Sequence, residues 1–248
     1  MSAESYDIVV VGGGTGGAFA AATAATAGLE TVILERKPPE AAGHIACGDA
    51  IKGTATFPDV MDLEYLKAES FTNQSVSRAL FENPSSNDDI EIEFRGPGAV
   101  LDRKRYGEVI LEEADRLGAE IHYNTVVQDV TQADDGTVTG VTGRQNGSQV
   151  DYEAELVIDA AGSLSILQDK ADFSGTFFDT NVRYSQFCSA YREVIEVDEP
   201  VEWHDAIVFK PTQELGYLWY FPRTPTQINV GVGFQMDQPE MQMISAIE

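Results

Sequence analysis

The sequence predicts an α/β fold in which one layer is wound as βαβ and is interleaved with a second, mostly antiparallel β-sheet. Three observations predict it. A continuous run of β-branched residues, Ile8 to Val11, is followed by closely spaced glycines, an alanine-rich stretch and a second apolar run, Thr31 to Leu34. Runs alternating apolar and polar residues appear between Val76 and Phe94, and again from about Asn181 onward. The chain has 248 residues, 43% of them hydrophobic, enough for a sizeable core.

Taken in order, Ile8 to Val11 reads as a strand covered on both faces, because it carries no polar alternation. Thr15 to Ala27 is alanine-rich and suits a helix, which Gly28 stops. Thr31 to Leu34 is again a buried-type strand and closes a Rossmann-type βαβ unit. Residues 37 to 58 hold three prolines and three glycines and read as a long loop with room for one helical turn. Val76 to Phe81 and Ile90 to Phe94 form an antiparallel pair, with Ser85 to Asp89 as its turn. Asp102 to Gly118 reads as a helix with an apolar stripe of Tyr106, Val109, Ile110, Ala114 and Leu117. Short strands then follow, joined by turns at "DDG" and "QNG", and a buried-type strand, Leu156 to Ile158, leads into "DAAG". The last strands expected are Arg183 to Val197, Ala206 to Lys210, Leu218 to Phe221 and Ile228 to Phe234. Two domains are expected, each discontinuous: residues 1–72 with 99–176, and residues 73–98 with 177–248.

Gly12, Gly14 and Gly17 place G-x-G-x-x-G between strand and helix. The first permits the turn, the second lets a pyrophosphate approach the backbone, and the third lets helix and strand pack closely. The helix N-terminus then offers unpaired N–H groups and partial positive charge to phosphate. Glu35 follows Gly17 by eighteen residues at the tip of the second strand, where a carboxylate accepts hydrogen bonds from a ribose diol and repels a 2′-phosphate. A dinucleotide other than NADP is therefore expected, with Arg36 beside it.

Sixteen Lys and Arg oppose 41 Asp and Glu, a net charge of −25. Such a surface repels a phosphate backbone, so nucleic acid is excluded as a partner. The carboxylates are dispersed and only six of the cations are Lys, which suggests adaptation to high salt, as in a halophile. Cys47 and Cys188 are too few for a disulfide scaffold. His44, His122 and His204 show no metal-ligand spacing. No apolar run approaches the ~20 residues a spanning helix needs, so a cytoplasmic protein is expected, with scope for peripheral contact at a membrane.

A long loop, an antiparallel excursion and the helix opening "LDRKRYGEVI" follow the βαβ unit, and this order resembles the glutathione-reductase-like FAD enzymes of hydroxylase-type arrangement. The resemblance implies an FAD-binding domain interleaved with a substrate domain. It implies that Arg103 contacts the flavin nucleotide, that Val127 in "TVVQDV" lies near adenine, and that Asp159 and Gly162 in "VIDAAG" border the nucleotide.

"GYLWYFPRTP" puts Tyr217, Trp219 and Phe221 on alternating positions before Pro222. In a strand these three share one face, a broad flat wall suited to a long featureless apolar chain. Together with Cys47 and Gly48 in "IACGDAIKG", this motif resembles the geranylgeranyl reductase family. The resemblance implies hydride delivery from reduced FAD to a C=C bond of a polyprenyl lipid, an archaeal ether-lipid precursor before other geranylgeranyl substrates. Cys47 is the candidate to donate the proton or to position the alkene, and Gly48 borders the flavin. The implied electron donor is ferredoxin, NAD(P)H or a deazaflavin. Members of that family are longer and carry a further Gly-Asp flavin motif, so the resemblance also implies that this chain, ending in "MQMISAIE", is C-terminally truncated, with an incomplete substrate domain. Two alternatives stand beside this reading: an FAD-dependent monooxygenase of hydroxylase type, and a truncated flavin- or lipid-binding module without turnover. The Trp-x-Trp-x-Ile-Pro motif of halogenases is absent.

Overall fold

A computed structural model gives the fold; it describes residues 3–44, 47–53, 57–83, 85–86, 88–174, 176–177, 183–212 and 216–235. In chain order the elements are β1 (Glu4–Val11), α1 (Thr15–Thr26), β2 (Thr31–Leu34), α2 (Pro39–Ala42), β3 (Ala50–Ile51), α3 (Leu63–Ser70), β4 (Phe71–Phe81), β5 (Ile90–Leu101) and α4 (Arg103–Arg116). They continue with β6 (Glu120–His122), β7 (Thr125–Gln132), β8 (Val138–Gln145), β9 (Ser148–Asp159), α5 (Ile166–Lys170), β10 (Cys188–Glu196), β11 (Ala206–Pro211), β12 (Gly216–Pro222) and β13 (Gln227–Gln235). Ile45 and Ala46 of the cysteine loop, Asn87 of the expected Ser85–Asp89 turn and the C-terminal "MQMISAIE" lie outside the described residues. The chain divides into two compact units, one drawn from Met1–Ile45, Phe57–Glu69 and Arg103–Thr180, the other from Ala46–Thr56, Ser70–Asp102 and Asn181–Glu248.

The first unit is built on a sheet in the order β6-β2-β1-β9-β8-β7. β6, β2, β1 and β9 run parallel, with Val10 opposite Ile33 and Ile158. β8 and β7 return antiparallel. Every residue of β2 is buried, as its unbroken apolar run requires. Both long helices of this unit end on a left-handed glycine. Gly28 has φ +86° and Gly118 φ +102°. The next residues, Leu29 and Ala119, donate back to Ala24 and Ala114, which satisfies the last carbonyls. The α4 stripe faces inward: Tyr106, Val109, Ile110 and Ala114 are all buried. The β8–β9 turn is Asn146-Gly147, both residues at positive φ, the twist that suits a two-residue hairpin.

The second unit is a sheet in the order β10-β13-β12-β11-β4-β5-β3. All neighbours are antiparallel except β11 and β4, which run parallel with Ala206 opposite Arg78. Its strands differ from expectation at several ends. β4 begins at Phe71 and β5 continues through Gly96, Pro97 and Gly98, because the pair absorbs these residues in three register shifts. The strand expected from Arg183 begins at Cys188; a turn precedes it, closed by Gln186, whose N–H donates to the Arg183 carbonyl and whose side chain accepts from the Arg183 N–H at 2.7 Å. The Cys47–Gly53 stretch, expected with the first domain, belongs to this unit because β3 pairs with β5. No helix among the described residues is long and apolar enough to cross a membrane.

Candidate functional site

In the first unit, β1 ends at Val11 and the glycine loop turns into α1. Gly12 has φ +104°, and a Cβ there would stand 2.5 Å from the Ala160 carbonyl oxygen. A Cβ on Gly17 would stand 1.9 Å from the Gly12 oxygen, so the helix lies against its own turn. Gly14, by contrast, faces open space, with nothing within 4 Å of a Cβ built on it. The helix therefore opens on a bare backbone concavity with its first-turn N–H groups outward, the geometry that receives a pyrophosphate.

Glu35 is buried, and each carboxylate oxygen already accepts one backbone N–H: Oε2 from Gly13 at 2.9 Å and Oε1 from Lys37 at 2.8 Å. It ties the glycine loop to the tip of β2, and each oxygen retains lone-pair capacity for a diol. Arg36, next in the chain, is exposed. Arg103 opens α4 and is only 7% exposed. Its guanidinium lies 5.3 Å from the Tyr106 ring centroid, and its buried Nε has no hydrogen-bond partner among the described residues. A buried donor left without a partner costs free energy, which an anionic ligand would offset. The open concavity at Gly14 and this orphaned donor fit a dinucleotide in the unit.

Asp159 ends β9 opposite Val11, so it sits at the carboxyl end of the parallel strands beside the glycine loop. It accepts from the Ala161 N–H at 3.2 Å and from the Ser165 hydroxyl. Gly162 follows with φ +78°, exposed. Val127 lies on β7, half-buried against the core cluster of Val9, Val11, Val32 and Leu34.

In the second unit, Tyr217, Trp219 and Phe221 share one face of β12, as the alternation predicts. Their ring centroids step along it at 5.9 and 6.1 Å. Phe209 of β11 joins the row 5.7 Å from Tyr217 and 5.4 Å from Phe221. Trp219 and Phe221 are 5% and 6% exposed and belong to a core cluster with Val76 and Val100, whereas Tyr217 is 45% exposed. The rings are core on one side and wall on the other. They border a cleft of about 470 Å³, whose other sides include Phe94, Ala99, Ala190 and Ile207. Cys47 and Gly48 line the same cleft, and Cys47 is a free, exposed thiol. Gly48 is pressed on the wall: a Cβ there would lie 3.1 Å from Phe221 and 3.3 Å from Trp219.

Three residues that hold this wall escaped the sequence reading. The Trp219 indole N–H donates to Asn229 Oδ1 at 2.8 Å, and Asn229 Nδ2 donates to Asp49 Oδ2 at 2.7 Å. Asp49, fully buried beside the Cys47–Gly48 pair, faces Arg192 at 3.8 Å. Gly231 stands directly across from Trp219 on β13, and a Cβ there would fall 2.2 Å from the indole. The signal was an asparagine inside the apolar run "INVGVGF", a polar residue in a strand otherwise buried.

The glycine loop and the strand order define a flavoprotein class, and the chain belongs to the FAD dependent oxidoreductase family, whose model matches residues 7–215. FAD is that family's cofactor. More particularly, the chain is 31% identical over 236 residues to the digeranylgeranylglycerophospholipid reductase of Thermoplasma acidophilum, covering 93% of this chain and 57% of that protein. It is 29% identical to the protein of that name from Sulfolobus acidocaldarius, covering 95% of this chain and 52% of that one. The chain thus spans little more than half the length of the curated relatives it matches. The crystal structure of a geranylgeranyl bacteriochlorophyll reductase-like protein from Thermoplasma acidophilum superposes with a TM-score of 0.83 at 28% identity, over 99% of this chain and 61% of that one. A myxobacterial FAD-dependent chondrochloren halogenase shares the fold, with a TM-score of 0.75 at 21% identity over 96% of this chain and 54% of that one.

Proposed function

We propose that this chain is the FAD- and substrate-binding part of a reductase that saturates C=C bonds in geranylgeranyl chains, those of archaeal ether-lipid precursors first. The observation that supports the reading is the aromatic-walled cleft of the second unit, with Cys47 and Gly48 set into its side. FAD, held in the first unit by the glycine loop, Glu35 and Arg103, supplies in its reduced form the hydride that such a reaction requires. The rest falls to this chain's side chains. Trp219, Phe221 and Phe209 offer flat apolar surface along which an isoprenoid chain lies extended, and their burial keeps water from the alkene. The Cys47 thiol carries a proton within the cleft and is the candidate donor to the second alkene carbon. Gly48 leaves the wall unobstructed, since any side chain there would crowd Trp219 and Phe221. Contact with a bilayer is peripheral in this reading, through the exposed outer end of the wall at Tyr217.

The test is anaerobic. Protein reconstituted with FAD and reduced chemically, which removes dependence on the natural donor, is given a geranylgeranyl ether lipid, and the product is examined by mass spectrometry. Gain of two hydrogens per double bond is expected. Cys47→Ser is expected to lower that rate at least tenfold while leaving the flavin spectrum unchanged. Unaltered lipid together with rapid oxygen consumption would replace the reductase with a monooxygenase.

A further inference from the structure

The cleft of the second unit is apolar along its length, and one formal charge stands at its rim. Ala50 and Ile51 line it half-buried, and Lys52, next in the chain, lines it and is exposed. Three other cations of this unit are held by carboxylates. Arg78 is bound to Asp205 at 3.0 Å and to Glu91 at 2.9 Å, Lys210 to Glu82 at 2.7 Å, and Arg223 to Asp102 at 2.6 Å. Among the described residues, no carboxylate or other acceptor engages the Lys52 ammonium. What sets Lys52 apart from other exposed cations is its position, since it is the charged residue among those that line the cleft. Its methylenes extend the apolar rim while the ammonium stays in water. Arg95 is exposed too, but its neighbour Phe94 is what lines the cleft, and successive strand residues point to opposite faces.

An apolar slot with one cation at its mouth matches a molecule with a long apolar tail and one anionic end. We propose that Lys52 anchors the phosphate ester at the head of the polyprenyl substrate and thereby selects phosphorylated lipids over uncharged prenols. The proposal rests on the reductase reading for the tail and adds the chemistry of the head. Lysine meets phosphate as a mobile point charge, so one residue accepts a diphosphate or a glycerol-linked phosphate alike.

Binding is read from the fluorescence of Trp219 in the cleft wall, with Trp203 replaced by Phe, at the lowest salt that leaves the far-UV circular dichroism unchanged. Geranylgeraniol, geranylgeranyl diphosphate and a digeranylgeranylglyceryl phosphate are titrated in turn, with inorganic phosphate as competitor. The two phosphorylated lipids are expected to bind roughly two- to fivefold tighter than the alcohol, the range of a single charge pair at a rim. Lys52→Met is expected to erase that preference, Lys52→Arg to keep it, and Lys52→Glu to reverse it, each read as the ratio of phosphorylated-lipid to geranylgeraniol affinity in the same variant. Inorganic phosphate is expected to leave geranylgeraniol in place, since it lacks the tail. No preference in the parent protein, or a preference that survives Lys52→Met, overturns the anchor while the reductase reading stands. Failure of all three lipids to bind overturns both.

Discussion

Gly14 and Gly17 lie three residues apart and answer to different demands. Gly17 has no room for a methyl group, since its Cβ would collide with the Gly12 carbonyl, so Gly17→Ala is expected to cost several kcal/mol and to yield little folded protein. Gly14 has room but faces the concavity that receives phosphate, and its φ of −74° is open to any residue. Gly14→Ala is therefore expected to melt within ~0.5 kcal/mol of the parent yet to bind FAD about tenfold more weakly. Thermal denaturation and flavin titration check the pair; parental FAD affinity in Gly14→Ala would remove the loop from the cofactor site. The glycine spacing was legible because a phosphate turn is a local device, written in consecutive residues. The support of Trp219 was not. Gly231 and Asn229 meet the indole only through the β12–β13 register, and Asp49 arrives from a segment 180 positions away from Asn229.

Among the elements, α4 carries a buried charge whose titration has a definite sign. Glu113 is 4% exposed and accepts from both Nε and Nη2 of Arg116, at 2.7 and 2.8 Å, and from the Asp62 N–H at 2.9 Å. The Arg116 hydrogen bonds hold its carboxyl below the usual carboxylate range, with burial opposing and the Asp62 amide assisting. A depressed native pKa means the stabilisation is complete above the unfolded value of ~4.3 and is lost as pH falls through the native one. Glu113→Gln is expected to be roughly 1–2 kcal/mol less stable at pH 7, with the gap closing as pH drops below about 4. Denaturant unfolding at the two pH values measures it, and a gap that persists in acid would detach Glu113 from the acid limb. Elements covered on both faces were the most legible: β2 spans Thr31–Leu34, the residues its apolar run marks. β3 and the extended parts of β4 and β5 were not, since a two-residue strand has no period and Gly96, Pro97 and Gly98 read locally as breakers. Only partner strands, which sequence pattern does not name, hold such residues extended.

For the whole molecule, charge sets the dependence on medium. With a net charge of −25, self-repulsion opposes the compact state, and its range contracts from about 10 Å at 0.1 M salt to about 3 Å at 1 M. The melting temperature is expected to rise steeply between 0.1 and 2 M KCl, and a flat or falling profile would separate the acidic composition from adaptation to salt. The connectivity has a further consequence. β11 joins β4 through the Ala206–Arg78 register, and each unit is assembled from three separate stretches of chain. During synthesis the β4–β5 hairpin leaves the ribosome well before the strand that must flank it, so its open edge waits while the intervening residues are made. For the same reason, no single cut in the gene releases either unit as one uninterrupted piece; separating them calls for rejoining three stretches of chain rather than truncation.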